Sequence, residues 1–345
     1  MYWKLLEEKS RKGKSITREE AQSVLHCSER EFFSMFDSAF RVRKAYFGRN
    51  VKLNYLLNVK SGLCAEDCSY CSQSKVSRAD VEKYPFLSEK DILSSAGRAV
   101  ALCAGRLCIV SSGRKPAQGE IDSAAGAVRK IKEQYPGLEV CLCLGLLEPE
   151  QAKKLKDSGL DVYNHNLNTS KEFYPRVCTT HTWQDRLKTL ETIKHAGIYS
   201  CSGCLFGMGE TDDDILDIAF ALRKEHPGSI PINFLIPIKG TPLEDHNSLT
   251  PQKCLRILAL FRFLNPKSEI RIAGGREYHL RWLQPLGLYA ANSIFIGDYL
   301  TTKGQKPEED IAMIRDLGFE IERHEGVSRD SGIIEHGRFP AHIKQ

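Results

Sequence analysis

Three cysteines are grouped in the segment KSGLCAEDCSYCSQS, at a spacing that suits an iron–sulfur cluster. Cys64, Cys68 and Cys71 form a CxxxCxxC pattern. A [4Fe-4S] cluster takes one thiolate for each of four irons, and this pattern supplies three. The remaining iron could bind a chelating molecule from solution, as catalytic zinc sites do at their open position. The alternatives are a zinc site that takes a distant fourth ligand, or buried structural thiols.

The chain contains 12 cysteines in 345 residues, and their context argues against a disulfide-bonded secreted protein. Disulfide frameworks belong mainly to short secreted chains, and the N-terminal segment carries charges where a signal peptide has its apolar core. No run approaches the roughly 18 apolar residues of a transmembrane helix. We therefore expect a cytoplasmic protein whose clustered thiols bind metal or perform redox chemistry.

The composition is typical of a globular protein with a large core. Hydrophobic residues make up 41% and charged residues 27%, which excludes disorder, collagen and coiled coil. The net charge of +5 is spread along the chain, so neither nucleic acid nor a membrane is an expected partner. The length fits two domains, or one α/β barrel of about 250 residues with terminal extensions.

Short apolar segments alternate with amphipathic ones from about residue 53 to residue 300, which predicts eight strands separated by helices. Thr211 before three aspartates, and Thr250 before Pro251, are typical helix starts. Repeated strand–helix units require parallel pairing, as in a doubly wound sheet or a (βα)8 barrel. We favour the barrel, an α/β fold of the TIM type. The expected strands are Leu53–Val59, Leu107–Ser112, Leu138–Leu144, Leu160–Asn166, Ile198–Cys204, Ile230–Ile236, Glu269–Ala273 and Asn292–Gly297.

The predicted organisation is a helical N-terminal extension over residues 1–50, a barrel over 51–320 and a short irregular C-terminal tail over 321–345. No linker rich in proline, glycine or serine divides the chain, which favours one catalytic domain. The CxxxCxxC loop follows the first strand, at the face where such barrels carry their active sites.

A second set of thiols falls inside predicted strands two, three and five. Cys108, Cys141 and Cys201 can converge in the barrel lumen if each points inward, and Arg271 on strand seven could join them. Taken singly, each cysteine is more often a small core residue. A buried guanidinium without a partner is costly, so packing alone does not explain an arginine beside them.

The first loop resembles that of the radical S-adenosylmethionine (SAM) superfamily, in which an aromatic residue, here Tyr70, precedes the last cysteine. The resemblance implies that the open iron binds the amino and carboxylate groups of SAM, and that SAM is cleaved to a 5′-deoxyadenosyl radical. Such a cofactor can attack an unactivated C–H bond, which side-chain acids and bases cannot.

Longer segments, from about residue 15 to residue 323, are similar to the biotin synthase family. This resemblance implies a sulfurtransferase that inserts sulfur into dethiobiotin, using two SAM molecules for each biotin. It also implies an auxiliary cluster, usually [2Fe-2S], that donates the sulfur and is held by Cys108, Cys141, Cys201 and Arg271. The matching segments are VKLNYLLNVKSGLCAEDCSYCSQS, RLCIVSSGR, LEVCLCLGLL, DVYNHNLNTS, CSGCLFGMGET, PINFLIPIKGTPL, EIRIAGGRE and GLYAANSIFIGDYLTT.

The same resemblance assigns residues to the pocket. Three asparagines at alternate positions share a strand face, and their amides suit a ligand with hydroxyl and ureido groups. His165, of opposite parity, is expected to face the helices as a structural histidine. The implied substrate contacts are Asn164, Asn166 and Asn233. The implied SAM contacts are Tyr70, Asn166, Asn168, Arg186 and Gly207. The alternatives are a ladder of asparagines at a strand end and a solvated helical arginine.

The resemblance further implies partners: an electron donor such as flavodoxin or ferredoxin, the iron–sulfur assembly machinery, and a second copy of the chain in a homodimer.

Three further cysteines depart from the family pattern, so the ligand set and the number of irons of the auxiliary cluster stay open. Cys143 shares a strand face with Cys141, and Cys178 and Cys204 lie where other residues are expected. Cys204 or Cys143 could be an extra ligand of a four-iron cluster, with Arg271 only a neighbour. Two other functions compete: a maturase or mutase of the same superfamily, and a cysteine-rich metal carrier without catalysis.

Overall fold

Parallel strands close into a barrel in the computed structural model, which describes residues 2–62 and 64–322. The strands are β1 Asn50–Lys60, β2 Arg106–Ser111, β3 Glu139–Cys143, β4 Val162–Asn164, β5 Tyr199–Cys201, β6 Cys204–Phe206, β7 Ser229–Phe234, β8 Glu269–Ile272, β9 Ser293–Ile296 and β10 Glu320–Ile321. The helices are α1 Tyr2–Arg11, α2 Arg18–Leu25, α3 Phe32–Phe47, α4 Glu89–Ala101, α5 Gln118–Gln134, α6 Pro149–Asp157, α7 Tyr174–Val177, α8 Trp183–His195, α9 Asp212–Glu225, α10 Pro251–Leu264, α11 Arg276–Leu280, α12 Gln284–Ala290 and α13 Pro307–Asp316.

The pairing order confirms the predicted TIM-type barrel. β1, β2, β3, β4, β5, β7, β8 and β9 follow one another in the sheet, and pairing of β9 with β1 closes it. β10 pairs in parallel with the beginning of β1. The part of the predicted tail beyond residue 322 lies outside the described residues.

Alternation along the strands sorts side chains between the lumen and the helices. In β2, Leu107 and Ile109 join the outer apolar core, whereas Cys108 packs inward beside Cys141 and Cys201. This is the two-residue period expected of a barrel strand. Capping fixes the surrounding helices, as at α9, where the Thr211 hydroxyl accepts a hydrogen bond from the Asp214 amide.

The expected fifth strand, Ile198–Cys204, is wrong as a continuous strand. β5 ends at Cys201, and β6 begins at Cys204 and pairs with β7. Between them, Gly203 passes so close to Pro231 that an added Cβ would lie 1.9 Å from the proline carbonyl oxygen. Only glycine tolerates that approach, and the interruption places Ser202 and Gly203 outside the ladder.

The N-terminal helices pack on the outer helices of the barrel. α2 contacts α9 and α10, and α3 contacts α10 and α12. Arg18 at the start of α2 forms ion pairs with Asp213 and Asp217 of α9. Among the described helices, none is long and apolar enough to cross a lipid bilayer.

Candidate active site

A cavity of about 390 Å³ opens at the carboxyl end of the barrel strands. Cysteines of the loop after β1 line it together with cysteines that lie inside the barrel, so both predicted sulfur groups face the same space. The residues expected from the sequence that line this cavity are Cys64, Cys68, Tyr70, Cys71, Cys108, Cys141, Cys143, Asn164, Asn166, Asn168, Arg186, Asn233 and Arg271.

Backbone hydrogen bonds fold the cysteine loop into two turns, and the three cysteines of the loop line the cavity. The Cys71 amide donates to the Cys68 carbonyl at 3.1 Å, and the Ser74 amide donates to the Cys71 carbonyl at 3.1 Å. Burial raises the pKa of the Cys71 thiol to about 11. Without a metal this thiol therefore keeps its proton, and a metal that it ligates would have to displace that proton.

Asn168 ties the cysteine loop to the break in the fifth strand. Its Nδ2 donates to the Tyr70 hydroxyl at 2.8 Å. Its amide donates to the Gly203 carbonyl at 3.0 Å, and its carbonyl accepts from the Leu205 amide at 2.8 Å. Asn168 has a φ of 69°, a left-handed conformation that asparagine adopts more readily than most residues. The backbone therefore determines where its amide points.

Asn164 and Asn166 lie between the two sulfur groups. Asn164 Nδ2 donates to Asn166 Oδ1 at 3.0 Å and lies 3.2 Å from Cys201 Sγ. Asn166 Oδ1 also accepts from the Gly203 amide at 3.0 Å. Arg186 Nη1 donates to the Asn166 carbonyl at 2.7 Å. A single hydrogen-bonded chain thus links the cavity wall to a buried sulfur on one side and to a guanidinium on the other.

Both polar atoms of the Asn233 side chain are hydrogen-bonded to backbone groups. Nδ2 donates to the Cys204 carbonyl at 3.0 Å, and Oδ1 accepts from the Gly274 amide at 3.0 Å. It therefore braces β6 against the end of β8 while lining the cavity.

Three thiols converge in the lumen as the strand pattern predicts. Cys108 and Cys141 are direct partners across β2 and β3, and Cys201 pairs with Asn164 across β5 and β4. A hydrogen bond from Cys141, helped by the charge of Arg271, lowers the pKa of Cys201 to about 6 against the effect of burial. The same two influences lower the pKa of Cys108. Hydrogen bonds with the same two thiols, together with burial, raise the pKa of Cys141, so the proton shared by the group stays on Cys141.

Arg271 is paired with a buried carboxylate, so the cost of an unpartnered guanidinium does not arise. Its Nη2 lies 2.6 Å from Glu269 Oε1 and 3.0 Å from Ser229 Oγ. Its Nε lies 3.3 Å from Ser293 Oγ. Burial alone would raise the pKa of Glu269, but the charges of Arg106 and Arg271 lower it below the ordinary value. The guanidinium is consequently held as a paired cation directly under the thiols.

The ion pairs continue across the base of the barrel. Arg106 lies 3.0 Å from Glu269 and 2.8 Å from Glu139, and Lys52 lies 2.5 Å from Glu139. Lys52 also lies 3.8 Å from Glu322, so three cations and three carboxylates balance in charge at the base of the barrel. We did not foresee Glu269 or Arg106, although each lies two residues before a predicted ligand on the same strand face, and this parity could have revealed them.

Three predicted residues are absent from the described cavity wall: Cys201, which packs behind it beside Cys108 and Cys141, and also Cys204 and Gly207. Cys204 packs in the outer apolar core, and burial raises its pKa. Gly207, with a φ of 97°, donates its amide to Glu210 Oε1 at 2.7 Å and is absent from the described cavity wall. Cys143 lines the cavity, and burial raises its pKa to about 12. Of the two extra thiols considered for the auxiliary site, only Cys143 faces it.

His165 lines the cavity, so the expectation that it faces the helices is wrong. Its Nε2 is buried and has no hydrogen-bond partner among the described residues. Parity fails here because β4 ends at Asn164, and the following residues no longer alternate as in a strand.

Comparison with known proteins decides the family. The Radical SAM superfamily model matches residues 58–222, and the model of the Biotin and Thiamin Synthesis associated domain matches residues 231–320. The chain is 53% identical over 320 residues to the biotin synthase of Geobacillus kaustophilus (strain HTA426), which covers 93% of this chain and 96% of that one. The identity to the biotin synthase of Bacillus subtilis (strain 168) is also 53%, over 93% of this chain and 95% of that one.

The chain belongs to the biotin synthase family. It is therefore an enzyme of the radical SAM superfamily, and the two competing hypotheses, a maturase or mutase and a metal carrier, are set aside.

Solved structures support the fold of this biotin synthase family member. A methylornithine synthase superposes with a TM-score of 0.79 at 19% identity, over 92% of this chain and 97% of that one. A maturase of the FeFe-hydrogenase from Carboxydothermus hydrogenoformans gives 0.79 at 19% identity, over 95% of this chain and 81% of that one. At these identities the likeness concerns the barrel alone.

Proposed function

We propose that this chain converts dethiobiotin into biotin with two sulfur-ligated centres in one cavity. Cys64, Cys68 and Cys71 would hold a [4Fe-4S] cluster that binds SAM. The auxiliary cluster, of the [2Fe-2S] type, would be held by the residues Cys108, Cys141, Cys201 and Arg271. The observation that carries the proposal is the common cavity, in which a polar wall of asparagines separates the two thiol groups.

The bound groups would supply the reactivity, and the chain would supply position. When bound, the first cluster and SAM provide a radical that abstracts hydrogen from C–H bonds, and the auxiliary cluster provides sulfide. The sulfur donor must lie close to the carbons that lose hydrogen, because proximity replaces an encounter in solution. Closed strands around the cavity would keep the substrate in place between two hydrogen abstractions.

Arg186 is the proposed partner of the SAM carboxylate. Its Nη1 is tied to Asn166 at 2.7 Å, and its Nε contacts the Tyr174 hydroxyl. Although burial lowers its pKa, nearby Tyr174, Tyr70 and Cys68 raise the net value above the ordinary one. A permanently charged fork with a fixed orientation suits a carboxylate. Tyr70 and Asn168, joined by their hydrogen bond, would support the same molecule.

Asn164, Asn166 and Asn233 are the proposed contacts of dethiobiotin. Their amides are already hydrogen-bonded to protein groups, so the asparagines would present fixed rather than adaptable polar atoms. Arg271 contacts Glu269, Ser229 and Ser293 through Nε and Nη2. Its Nη1 would ligate the auxiliary cluster only after the iron displaces a proton, because a charged guanidinium has no lone pair to donate. Cys143 is the remaining candidate for an extra ligand.

The family membership also supports the proposed partners: flavodoxin or ferredoxin as electron donor, the iron–sulfur assembly machinery, and a homodimer.

Two cysteine variants test the assignment under anaerobic conditions. After reconstitution with iron and sulfide, Cys64→Ala should neither cleave SAM nor form biotin. Cys141→Ala should retain SAM cleavage and lose biotin formation, because the radical is made but no sulfur is delivered. Iron and sulfide counts with Mössbauer spectra identify the cluster that each variant loses.

Cys254→Ala is the matched control, since Cys254 is buried in α10 away from the cavity. It should match the parent chain in all measurements. Biotin formation by Cys64→Ala would contradict the proposed function.

A further inference from the structure

His181 is a buried histidine whose two ring nitrogens are both hydrogen-bonded. It directly precedes Thr182, the N-cap residue of α8. Its Nδ1 contacts Glu66 Oε2 in the cysteine loop. Its Nε2 lies 2.8 Å from the Tyr174 hydroxyl and 3.1 Å from Arg186 Nε. The imidazole therefore joins the cysteine loop to the arginine in the first turn of α8.

The partners of His181 fix which ring nitrogen carries the proton. A carboxylate only accepts hydrogen bonds, so Nδ1 donates to Glu66. The Nε of an arginine only donates, so Nε2 accepts from Arg186. A neutral imidazole with its proton on Nδ1 satisfies both contacts, whereas the other tautomer and the doubly protonated ring do not. The Thr180 hydroxyl donates to the same Glu66 oxygen at 2.6 Å and holds the carboxylate in position.

The contacts of Arg186 leave one end of its guanidinium for a ligand. Arg186 lines the cavity, and its Nε contacts His181 and the Tyr174 hydroxyl. Its Nη1 donates to the Asn166 carbonyl at 2.7 Å, and its Nη2 has no hydrogen-bond partner among the described residues. Because the guanidinium is planar, contacts at two of its nitrogens fix the direction of the third. The Nη2 end is therefore the one that can meet a carboxylate in the cavity.

We propose that His181 is a positioning residue that orients Arg186 toward the carboxylate of SAM. The inference rests on the proposed function, which assigns that carboxylate to Arg186. Glu66 selects the tautomer of His181, and the Nε2 atom of this tautomer holds Arg186 Nε, so that Nη2 stays available for the carboxylate. Because Glu66 lies between Cys64 and Cys68, the same contacts keep Arg186 in a constant position relative to the loop that would hold the first cluster.

Two amide substitutions separate the two ring nitrogens of His181. The amide of asparagine reaches about as far as Nδ1, and that of glutamine about as far as Nε2. His181→Asn can keep the contact with Glu66 but offers Arg186 no acceptor. It should weaken SAM binding roughly tenfold or more, the usual effect of losing a hydrogen bond to a charged group. His181→Gln presents an amide oxygen to Arg186 and should restore the affinity to near that of the parent chain.

Equilibrium dialysis of the anaerobically reconstituted, unreduced chain measures SAM binding without cleavage. His195→Asn is the matched control, since His195 is an exposed histidine in the last turn of α8, and it should leave the affinity unchanged. If His181→Asn does not fold, as judged by circular dichroism, His181→Phe takes its place with the same expected outcome, because its ring fills a similar space without an acceptor.

Decarboxylated SAM tests whether His181 acts through the carboxylate. This analogue lacks the group that Arg186 would bind, so the parent chain and His181→Asn should bind it equally. Equal weakening of SAM and the analogue would indicate a merely structural defect and overturn the inference. In the Arg186→Gln background, His181→Asn should cause no further loss of SAM affinity, because the residue through which it acts is gone. Additive losses would also overturn the inference.

The Arg186→Gln chain distinguishes failure of this inference from failure of the proposed function. Weaker binding of SAM, but not of the analogue, by Arg186→Gln together with ordinary SAM binding by His181→Asn would keep the carboxylate assignment and overturn the role of His181. Ordinary SAM binding by Arg186→Gln would contradict the carboxylate assignment itself, and the inference would fail with it.

Discussion

At the scale of single residues, Glu269 is the carboxylate that Arg106 and Arg271 share beneath the thiols of Cys108, Cys141 and Cys201. Its side chain is 9% exposed and lies within 3.0 Å of both Arg106 and Arg271. Removing one partner of a buried ion pair is far more harmful than never having built the pair. Glu269 therefore matters to the site although it faces no ligand in the cavity.

Glu269→Gln should destabilise the cluster-free chain by about 3 kcal/mol or more, because two buried guanidinium groups lose their shared carboxylate. Denaturant unfolding of the two proteins measures the difference. Glu139→Gln is the control: Glu139 contacts Arg106 as well but is 32% exposed, so its loss should cost clearly less. Equal effects of the two substitutions would contradict the importance given to Glu269.

Asn168 combines a backbone requirement with a side-chain contact, and two substitutions separate them. Asn168→Gly removes the bond to Tyr70 but suits the φ of 69°, so it should weaken SAM binding with little loss of stability. Asn168→Ala should weaken SAM binding similarly and lose about 1 kcal/mol more stability from left-handed strain. SAM affinity of the reconstituted chain and thermal unfolding are the measurements. Unchanged SAM affinity in both variants would remove Asn168 from the SAM site.

Residue types and spacing indicated much of the site, but not the contacts between distant segments. The positions of Cys108, Cys141 and Cys201 follow from the two-residue period of strands. In contrast, Glu66 and His181 meet across 115 residues of chain, and no local pattern predicts that meeting. His165 shows the limit of arguments from strand parity. Side chains stop alternating between the two faces once the strand has ended at Asn164.

At the scale of elements, the interruption between β5 and β6 shapes the pocket. The carbonyl of Gly203 accepts a hydrogen bond from Asn168, and its amide donates to Asn166. A continuous strand would commit these groups to a neighbouring strand. The sequence predicts the strand but not its break, because the break depends on the close approach of Pro231 from another strand.

Gly203→Ala should destabilise the fold by about 1–3 kcal/mol, the usual cost of forcing atoms into a filled space, and should weaken SAM binding through the displaced asparagines. Gly119→Ala in α5 is the control, since an added Cβ there meets nothing within 4 Å. The control should be neutral or slightly stabilising, because alanine favours helix more than glycine does. Denaturant unfolding and SAM affinity of both variants check this. A stable Gly203→Ala chain with ordinary SAM affinity would show that the close approach is not required.

At the scale of the whole molecule, the buried ion pairs make the free energy of unfolding depend on pH in the acidic range. The pKa of Glu269 is lower in the folded chain than the ordinary value of about 4.3. Its contribution is therefore complete above that value and is lost as the pH falls below it toward the folded pKa. The free energy of unfolding of the cluster-free chain should decline below about pH 4. The decline should be shallower in Glu269→Gln, and equal slopes would contradict the argument.

The barrel itself was predictable because strand and helix periods repeat regularly along the chain. Its closure through β1 and β9 agrees with that pattern. The pairing of β10 with the beginning of β1 was not predicted, since a strand of two residues leaves no periodicity to detect.

The buried charges at the base of the barrel also set an order of events. Lys52, Arg106 and Glu269 fill the space beneath the three lumen thiols. Under the proposed function, iron and sulfide for those thiols would enter through the mouth that SAM and dethiobiotin use, past the CxxxCxxC loop. Refilling the auxiliary cluster and binding the next substrates would then be successive, and a chain that holds both substrates would have to release them before its sulfur supply is renewed.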